Sequence, residues 1–182
     1  GMERDWPEGR GIFHNDAQNF FVWVNEEDHM RIVSMETGDN ISGIMKRFAD
    51  ACNGVAEVLQ ANDFDFMHSD HLGFILTCPS NCGTGLRAGA MTKLPLVSAR
   101  ADWKSKLACM GLQARGTAGV DSTSTGGTFD ISNADRLGTS EVNLVNIMID
   151  GVAKLIQWEQ QLEKGESIDE EWATQGKPVA IE

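Results

Sequence analysis

The sequence predicts an α+β fold in which an antiparallel β-sheet is flanked by helices. Short apolar runs rich in β-branched and aromatic residues, such as Phe20–Val24, are typical of buried strands. Longer segments repeat apolar residues three and four positions apart, which is the spacing of an amphipathic helix. Strands and helices do not alternate regularly and no internal repeat is visible, so we expect one mixed or antiparallel sheet.

Five segments carry strand signals. The predicted strands are Phe20–Val24, Arg31–Met35, Gly73–Thr77, Leu86–Leu94 and Thr128–Ser132. The first 19 residues mix Pro, Gly, Asp and Asn, which predicts an irregular entry segment. The stretch 116–127 is rich in Gly, Ser and Thr and holds almost nothing that could pack, so we expect a mobile surface loop there.

Three helices are predicted, at about 40–61, 99–110 and 140–164. Asn40 can cap the first helix, and Gly165 is a typical stop for the last. The expected core positions of the first helix are Ile44, Phe48, Cys52, Val55, Val58 and Leu59. Those of the last helix are Val142, Val145, Ile149, Val152, Ile156 and Leu162. From Glu166 onward the chain is acidic and polar, and we expect this tail to lie along the surface.

Composition excludes several classes of protein. The chain has 182 residues and a formal charge of −12, which disfavours binding to nucleic acid or to an anionic membrane. No apolar run approaches the ~20 residues of a transmembrane helix, and the N-terminus does not resemble a signal peptide. Four cysteines without a repeated CxxC pair disfavour a zinc site and predict reduced thiols, hence a cytoplasmic location.

An acidic cluster, Glu26–Asp28, connects the first two predicted strands. A charge run of this kind is most often a solvated turn. The flanking strands are strongly apolar, however, and Arg31 follows at once, where it could neutralise a carboxylate or face a phosphate. Adjacent carboxylates suit the paired hydrogen bonds of a planar guanidinium. The cluster is therefore a candidate binding site for a guanidinium group.

A second candidate is the loop that begins at Cys78. A cysteine after a strand is usually a small buried apolar residue, but Ser80 stands two positions on and could donate a hydrogen bond to a thiolate. Cys82 has no such partner in sequence and is interpreted as a packing residue. The neighbouring stretch Gly83–Gly85 matches neither a Walker A loop nor a GxGxxG motif, so ordinary loop chemistry explains it.

Four arginines stand at predicted strand ends or beside glycine-rich loops. They are Arg31, Arg87, Arg115 and Arg136. In an acidic chain this placement suggests convergence on one polyanion, because the planar fork of Arg matches phosphate oxygens. Four unrelated surface salt bridges are an equally weighted alternative.

Several stretches, in one consistent order, resemble the motifs of phosphagen kinases, the ATP:guanidino phosphotransferases of the creatine kinase type. They are Val22–Arg31, Cys78–Asn81, Gly83–Gly89, Arg115–Thr117, Gly119–Asp121 and Phe129–Gly138. The resemblance covers about residues 4–168. It implies the catalytic-domain fold shared with glutamine synthetase, truncated at its N-terminal side, with residues 1–168 as the C-terminal part of that domain and 169–182 as a polar tail.

The resemblance also implies roles for individual residues. Glu27 would orient and deprotonate the guanidine, Cys78 would act as a thiolate beside it, and Ser80 would hydrogen-bond that thiolate. Val120 would contact the substrate as well as ATP. The implied ATP-binding set is Arg31, Arg87, Arg115, Gly116, Thr117, Ala118, Gly119, Val120, Asp130 and Arg136. The resemblance further implies Mg²⁺ held mainly by nucleotide phosphates and water, with no metal-ligating residue.

The substrate branch is partly readable from the resemblance. Arginine kinases carry a glutamate where this chain has Val120, so a creatine, glycocyamine, taurocyamine or lombricine type of acceptor is implied. Departures from the family pattern are Met91 for a histidine near the nucleotide, Cys82 for a leucine, and Ala118 for a glycine-like position. The alternatives are a protein-arginine kinase and a non-catalytic nucleotide-binding fragment.

The implied partners are ATP or ADP, a small guanidino substrate and the missing N-terminal part of the kinase, with a homo-oligomer as a further expectation. Without that part, the isolated chain is expected to show little or no turnover.

Overall fold

The computed structural model describes residues 5–116 and 126–175. The chain divides into two compact units, Gly1–Cys82 and Gly83–Glu182. The described strands form three separate antiparallel sheets, of three, two and three strands. Antiparallel pairing is thus confirmed, whereas the expectation of a single sheet is wrong.

The first unit is built on a three-stranded sheet in the order β1-β2-β3. The strands are β1 (Gly11–His14), β2 (Phe20–Val24) and β3 (Met30–Ser34). The prediction of an irregular entry segment is wrong for β1, which pairs with β2 so that Phe13 lies opposite Val22. β1 has only four residues, which are mostly exposed, and it forms through pairing with β2. Its own sequence therefore carries little strand signal.

A single long helix, α1 (Ile41–Gln60), packs against β3. It begins as predicted, because Asn40 Oδ1 accepts a hydrogen bond from the Gly43 amide at 3.1 Å. Val58, on the predicted core stripe, is exposed. The predicted strand Gly73–Thr77 is correct only at its start: a two-stranded hairpin joins β4 (His68–Ser69) to β5 (Gly73–Phe74). The chain then leaves the sheet, since the Thr77 amide donates to a side chain instead of to a strand.

The second unit contains a three-stranded sheet in the order β6-β8-β7. The strands are β6 (Gly89–Lys93), β7 (Leu112–Arg115) and β8 (Thr128–Asn133). Met91 and Arg115 both lie opposite Asp130 of the central strand. Among the described residues, all fully buried apolar side chains belong to this unit, including Leu94, Val97, Leu107, Leu112, Ile131 and Leu155.

The predicted helix 99–110 is shorter than expected. A 3₁₀ turn (Val97–Ala99) comes first, and α2 covers Trp103–Cys109. Arg100 between them has an extended backbone, with ψ of 133°, which interrupts the helix.

Helix α3 (Glu141–Glu163) has the predicted boundaries. At its start the Ser140 hydroxyl accepts a hydrogen bond from the Asn143 amide. After its end, Gly165 has a φ of 76°, which is typical of a helix stop. The predicted core stripe is wrong in part. Val145 and Val152 are buried, but Val142, Ile149 and Ile156 are exposed by 67%, 38% and 40%. The buried face instead carries Leu144, Met148, Leu155 and Trp158.

Gly151 explains why α3 turns this face to the sheet. A Cβ atom at Gly151 would overlap the Leu112 side chain of β7. The helix therefore packs closely on the sheet at Gly151, where a side chain would clash with Leu112. The prediction followed the apolar residues of α3 alone and so chose the stripe of valines and isoleucines. It did not consider that a glycine can mark the face that packs closely.

The expectation of a surface tail from Glu166 onward is wrong for residues 168–174. Helix α4 (Asp169–Thr174) follows α3, and Ile168 and Trp172 are buried. The Trp172 indole nitrogen donates to both carboxylate oxygens of Asp102, at 3.1 and 3.0 Å, and its ring lies 5.1 Å from that of Trp158. Two apolar residues in a polar segment, Ile168 and Trp172, thus dock it against the rest of the unit. The domain boundary at residue 168 stays a prediction.

Among residues 5–116 and 126–175, no helix combines the length and apolar character that crossing a bilayer requires.

Two neighbouring substitutions in α3 test the revised stripe. We expect Leu155→Ala to lower the free energy of unfolding by about 2–5 kcal/mol, because it leaves a cavity in the core. Ile156→Ala should cost less than roughly 1 kcal/mol, since 40% of that residue is already exposed. Urea unfolding followed by circular dichroism measures both. A larger loss for Ile156→Ala than for Leu155→Ala would mean that the predicted stripe, not the observed one, forms the core.

Candidate functional site

The acidic cluster forms the β2–β3 turn and closes around one arginine. Arg31 Nη2 donates to Glu27 Oε2 at 2.6 Å, and Arg31 Nε donates to Asp28 Oδ2 at 3.1 Å. Arg31 Nη1 also lies 2.7 Å from Glu26 Oε2, as an ion pair without hydrogen-bond geometry. Burial opposes the charge of Arg31, but its bonds to Asp28 and Glu27 outweigh this and raise the pKa of Arg31.

Asp28 connects this turn to the cysteine loop. Its side chain is only 6% exposed, and its second oxygen accepts a hydrogen bond from the Thr77 amide at 2.9 Å. Thr77 precedes Cys78, so the Asp28 side chain fixes the start of the loop next to the turn that carries Glu27. The acidic turn and the cysteine loop, two of the segments predicted for guanidine binding, are thus linked within the first unit. Asp28 was recognised only as one member of the acidic cluster, and nothing in the sequence identified its partner 49 residues away.

The Cys78 loop has the predicted local geometry. The Cys78 thiol and the Ser80 hydroxyl lie 3.1 Å apart as a hydrogen-bonded pair. Pro79 opens a 3₁₀ turn, Pro79–Asn81, which places the hydroxyl back over the sulfur. Cys82 is half-buried, and its sulfur lies 4.0 Å from the Leu76 carbonyl oxygen, in agreement with a packing role.

In the second unit, three of the four predicted arginines share one neighbourhood. Arg87 Nη2 pairs with Asp130 Oδ2 at 2.7 Å. Burial and then the positive charge of Arg87 lower the pKa of Arg115, and Asp130 offsets this only in part. Burial, followed by the charges of Arg115 and Arg87, likewise lowers the pKa of Arg136.

This cationic cluster of Arg87, Arg115 and Arg136 is short of negative charge. The ion pair between Arg87 and Asp130 is its one salt bridge among the described residues. Arg115 Nε is buried, and no hydrogen-bond partner for it is found among the described residues. Arg remains protonated despite these pKa shifts, so the arrangement favours an anionic ligand that would relieve the mutual repulsion.

Gly83, in the stretch Gly83–Gly85, allows a close backbone approach. Gly83 has a φ of 114°, and a Cβ there would overlap the Arg136 carbonyl group. The Thr84 amide donates to that same carbonyl oxygen at 2.9 Å. This stretch therefore helps to position Arg136, whose Nη1 is held by the Ala134 carbonyl oxygen at 2.6 Å.

Asn133 at the end of β8 is a positioning residue that the sequence did not single out. It is fully buried, its Oδ1 accepts from the Ala88 amide at 2.8 Å, and its Nδ2 donates to the carbonyl oxygens of Leu86 and Asp135 at 3.1 and 2.7 Å. These bonds hold the segment that carries Arg87 on one side and the turn before Arg136 on the other. The available signal was a polar residue at the end of an apolar strand.

Four of the predicted site residues, Thr117, Ala118, Gly119 and Val120, lie outside the described residues, whereas Gly116 is buried at their border. Met91, which replaces the family histidine, is 61% exposed and lies opposite Asp130 in the sheet. Within the described ranges, no group of three or more His, Cys, Asp or Glu side chains is placed to hold a metal ion.

Replacing Asn133 tests whether it positions the arginines. We expect Asn133→Ala to lower the free energy of unfolding by about 3 kcal/mol, because a fully buried side chain loses its hydrogen bonds to three backbone groups. Asn146→Ala, on the exposed face of α3, should change stability by no more than about 0.5 kcal/mol. Thermal unfolding of both variants provides the measurement, and a neutral result for Asn133→Ala would contradict the proposed role.

Comparison with known proteins identifies the family. The family model described as "ATP:guanido phosphotransferase, C-terminal catalytic domain" matches residues 1–162. The testis isozyme of creatine kinase from Oncorhynchus mykiss is 53% identical over 170 residues, which are 93% of this chain and 44% of that protein. The flagellar creatine kinase of Strongylocentrotus purpuratus is 56% identical over 167 residues, 92% of this chain and 14% of that protein.

Solved structures agree with these relatives. Lombricine kinase superposes with a TM-score of 0.86 at 44% identity, over 92% of this chain and 46% of the other. The duplicated taurocyamine kinase from Schistosoma mansoni, solved with bound transition state analog components, gives 0.81 at 42% identity, over 90% and 22%. This chain thus spans less than half the length of these relatives. The matched model covers most of the chain, and the chain therefore belongs to the ATP:guanido phosphotransferase family.

Proposed function

We propose that this chain contributes nucleotide and guanidine handling to an enzyme that reversibly transfers the γ-phosphoryl group of ATP to a guanidino acceptor. The observation that carries the proposal is the cationic cluster of Arg87, Arg115 and Arg136, whose charges are under-neutralised. Three guanidinium groups in one neighbourhood, only partly offset by Asp130 and Asp135, favour an anionic ligand of several charges. A nucleoside triphosphate supplies that charge.

Phosphoryl transfer depends on alignment and charge stabilisation more than on covalent chemistry. Arg115 and Arg136 would hold phosphate oxygens, while Arg87 would exchange Asp130 for a phosphate. Asp130 would then be free to bind the nucleotide. Gly116 and the segment 117–120 are proposed to close over the nucleotide and exclude water, which protects the phosphoryl group from hydrolysis.

Mg²⁺ is proposed to enter with the nucleotide. In residues 5–116 and 126–175 no three His, Cys, Asp or Glu side chains converge as a ligand set, which fits an ion held by phosphates and water. When bound, the ion supplies neutralisation of phosphate charge. The protein's own part is to hold the phosphates through Arg115 and Arg136.

On the guanidine side, Glu27 is proposed to orient the acceptor and to take its proton. Its carboxylate is half-exposed and already binds a guanidinium group, that of Arg31. Cys78, hydrogen-bonded to Ser80, would act as a thiolate whose negative charge stabilises the substrate guanidinium, an electrostatic role rather than nucleophilic attack.

The relatives and Val120 support a proposal for the substrate class. The similar proteins are creatine, lombricine and taurocyamine kinases. We propose an acceptor of the creatine, glycocyamine, taurocyamine or lombricine type, with Val120 contacting it. We further propose a cytoplasmic enzyme, consistent with four free cysteines, that works together with a further N-terminal part of the kinase and in a homo-oligomer.

Nucleotide binding provides the first test. We expect calorimetry to detect MgADP binding to the chain, and Arg115→Ala to weaken it by about tenfold or more through loss of a charge-assisted contact. Arg100→Ala is the matched control, because that arginine is already neutralised by Asp169 at 2.7 Å. Equal affinities for wild type and Arg115→Ala would contradict the phosphate-binding role.

Guanidine chemistry provides the second test. Phosphorylation by ATP is measured with the four candidate acceptors and with a protein arginine, using this chain fused to the part of lombricine kinase that the superposition leaves uncovered. We expect transfer to a free guanidino compound, reduced about 10²–10⁴-fold in Glu27→Gln through loss of the general base. Glu57→Gln, exposed on α1, is the control and should keep full activity.

The outcomes separate the alternatives. Phosphorylation of the protein arginine alone would favour a protein-arginine kinase. A chain that binds no MgADP, even in the fusion, would be a non-catalytic member of the family.

A further inference from the structure

A carboxylate that the proposed mechanism does not use is buried near the end of α3. Glu159 is only 4% exposed, and Leu155 and Trp158 beside it in the helix are buried apolar side chains. Its oxygens accept hydrogen bonds from two consecutive backbone amides, Leu96 to Oε1 and Val97 to Oε2, both at 2.8 Å. Burial of a carboxylate is costly unless such charge-assisted bonds satisfy it. Glu159 therefore holds the connection between β6 and α2 against α3.

The 94–97 turn, which Glu159 holds, contacts the chain directly before β8. The Leu94 amide donates to the Gly127 carbonyl oxygen at 2.8 Å, which extends the pairing of β6 with β8 by one residue pair. Gly127 has a φ of 77°, and a Cβ atom there would lie 2.7 Å from Pro95 Cα. The two backbone segments therefore touch where no side chain would fit. Through this contact, Glu159 fixes the position of Gly127.

A buried polar side chain thus secures each end of β8. Asn133 secures the far end through its bond to the backbone before β6, and Glu159 secures the near end through the turn. Asp130 lies midway between the two secured positions, 127 and 133. It pairs with Arg87 of the cationic cluster. The placement of Asp130 beside that cluster therefore depends on both ends of the strand.

We propose that Glu159 is a positioning residue for nucleotide binding, because it holds the 94–97 turn against Gly127 and so fixes the strand that carries Asp130. The inference rests on the proposed function for the identity of the ligand. Glu159 lies outside all of the motifs that resemble those of the family. It acts through the backbone, without touching the nucleotide.

The physical effect is preorganisation of the site. Asp130 and Arg87 are paired with each other and must take new partners when a polyanion binds. If the near end of β8 is already fixed, binding does not have to restrict that backbone, and less conformational entropy is lost. A loosened end adds this cost to binding. Affinity then falls although every group that touches the nucleotide is still present.

A purely structural role is the competing explanation, in which the two bonds of Glu159 only add to the stability of the second unit. Leu155→Ala is the control for this, because it removes a buried side chain one turn earlier but leaves both bonds of Glu159 in place. Glu163→Gln is the control for the chemical change, since Glu163 is an exposed residue of the same helix.

The test measures MgADP binding to the full 182-residue chain by calorimetry, at a temperature where circular dichroism shows each variant to be folded. We expect Glu159→Gln to weaken binding at least about fivefold. Glutamine keeps the shape of the side chain, but it has one accepting oxygen for two amides. Leu155→Ala and Glu163→Gln should each bind MgADP within about twofold of the wild type.

Hydrogen exchange of the wild type covers the case in which Glu159→Gln does not fold. MgADP should slow exchange of the Leu94 and Val97 amides at least about threefold more than exchange of the Trp172 amide. The Trp172 amide is the reference because its bond to the Ile168 carbonyl oxygen, at 2.7 Å, lies within α4 and not in the turn.

Three results would overturn the inference. They are an unchanged MgADP affinity in Glu159→Gln, a loss of the same size in Leu155→Ala, and equal slowing of exchange at Leu94, Val97 and Trp172. In each case the wild type still binds MgADP, and the proposed function stands. Absence of MgADP binding to the wild type would overturn the proposed function, and this inference with it.

Discussion

The buried carboxylate of Asp28 is the contact on which the first unit's site depends. One oxygen accepts from Arg31 and the other from the Thr77 amide, so a single side chain joins the acidic turn to the cysteine loop. A buried carboxylate is tolerated only when its oxygens are satisfied, and here both are. The same bonds hold Glu27 and Cys78 on neighbouring backbone segments, in a unit whose described apolar side chains are at most partly buried.

In the second unit, the neutral side-chain amide of Asn133 has the corresponding positioning role. Asn133 carries one acceptor and two donors into a site with no solvent access, and each meets a backbone group. An amide suits this place because it accepts from an N–H group and donates to two carbonyl oxygens, and an ionised carboxylate has no proton to donate. The cluster is thus held by backbone and amide contacts, which leaves its positive charge available to a ligand.

Local signals predicted local structure well and long-range contacts poorly. Asn40 and Ser140 cap their helices as expected, because a cap is decided within three residues. The face that α3 buries depends on Gly151 meeting Leu112, and the docking of α4 depends on Trp172 meeting Asp102. For the site, motif resemblance named Glu27, Cys78 and the arginines. It could not show that Asp28 reaches Thr77 or that Asn133 supports Arg87, since these contacts span 45 residues or more.

Burial separates the contacts that build the site from those that ligands can exchange. Asp28, Asn133 and Arg136 are buried and bonded to backbone groups, so breaking them would expose unpaired polar atoms. The pairs Arg31–Glu27 and Arg87–Asp130 join side chains that are 27–47% exposed, where water can replace a lost partner at little cost. Each pair also presents the charges that the two proposed ligands carry. The ion pairs that a ligand could replace thus lie at the surface, whereas the contacts that position the site are buried. Charged groups can therefore change partners while the backbone that holds them stays in place.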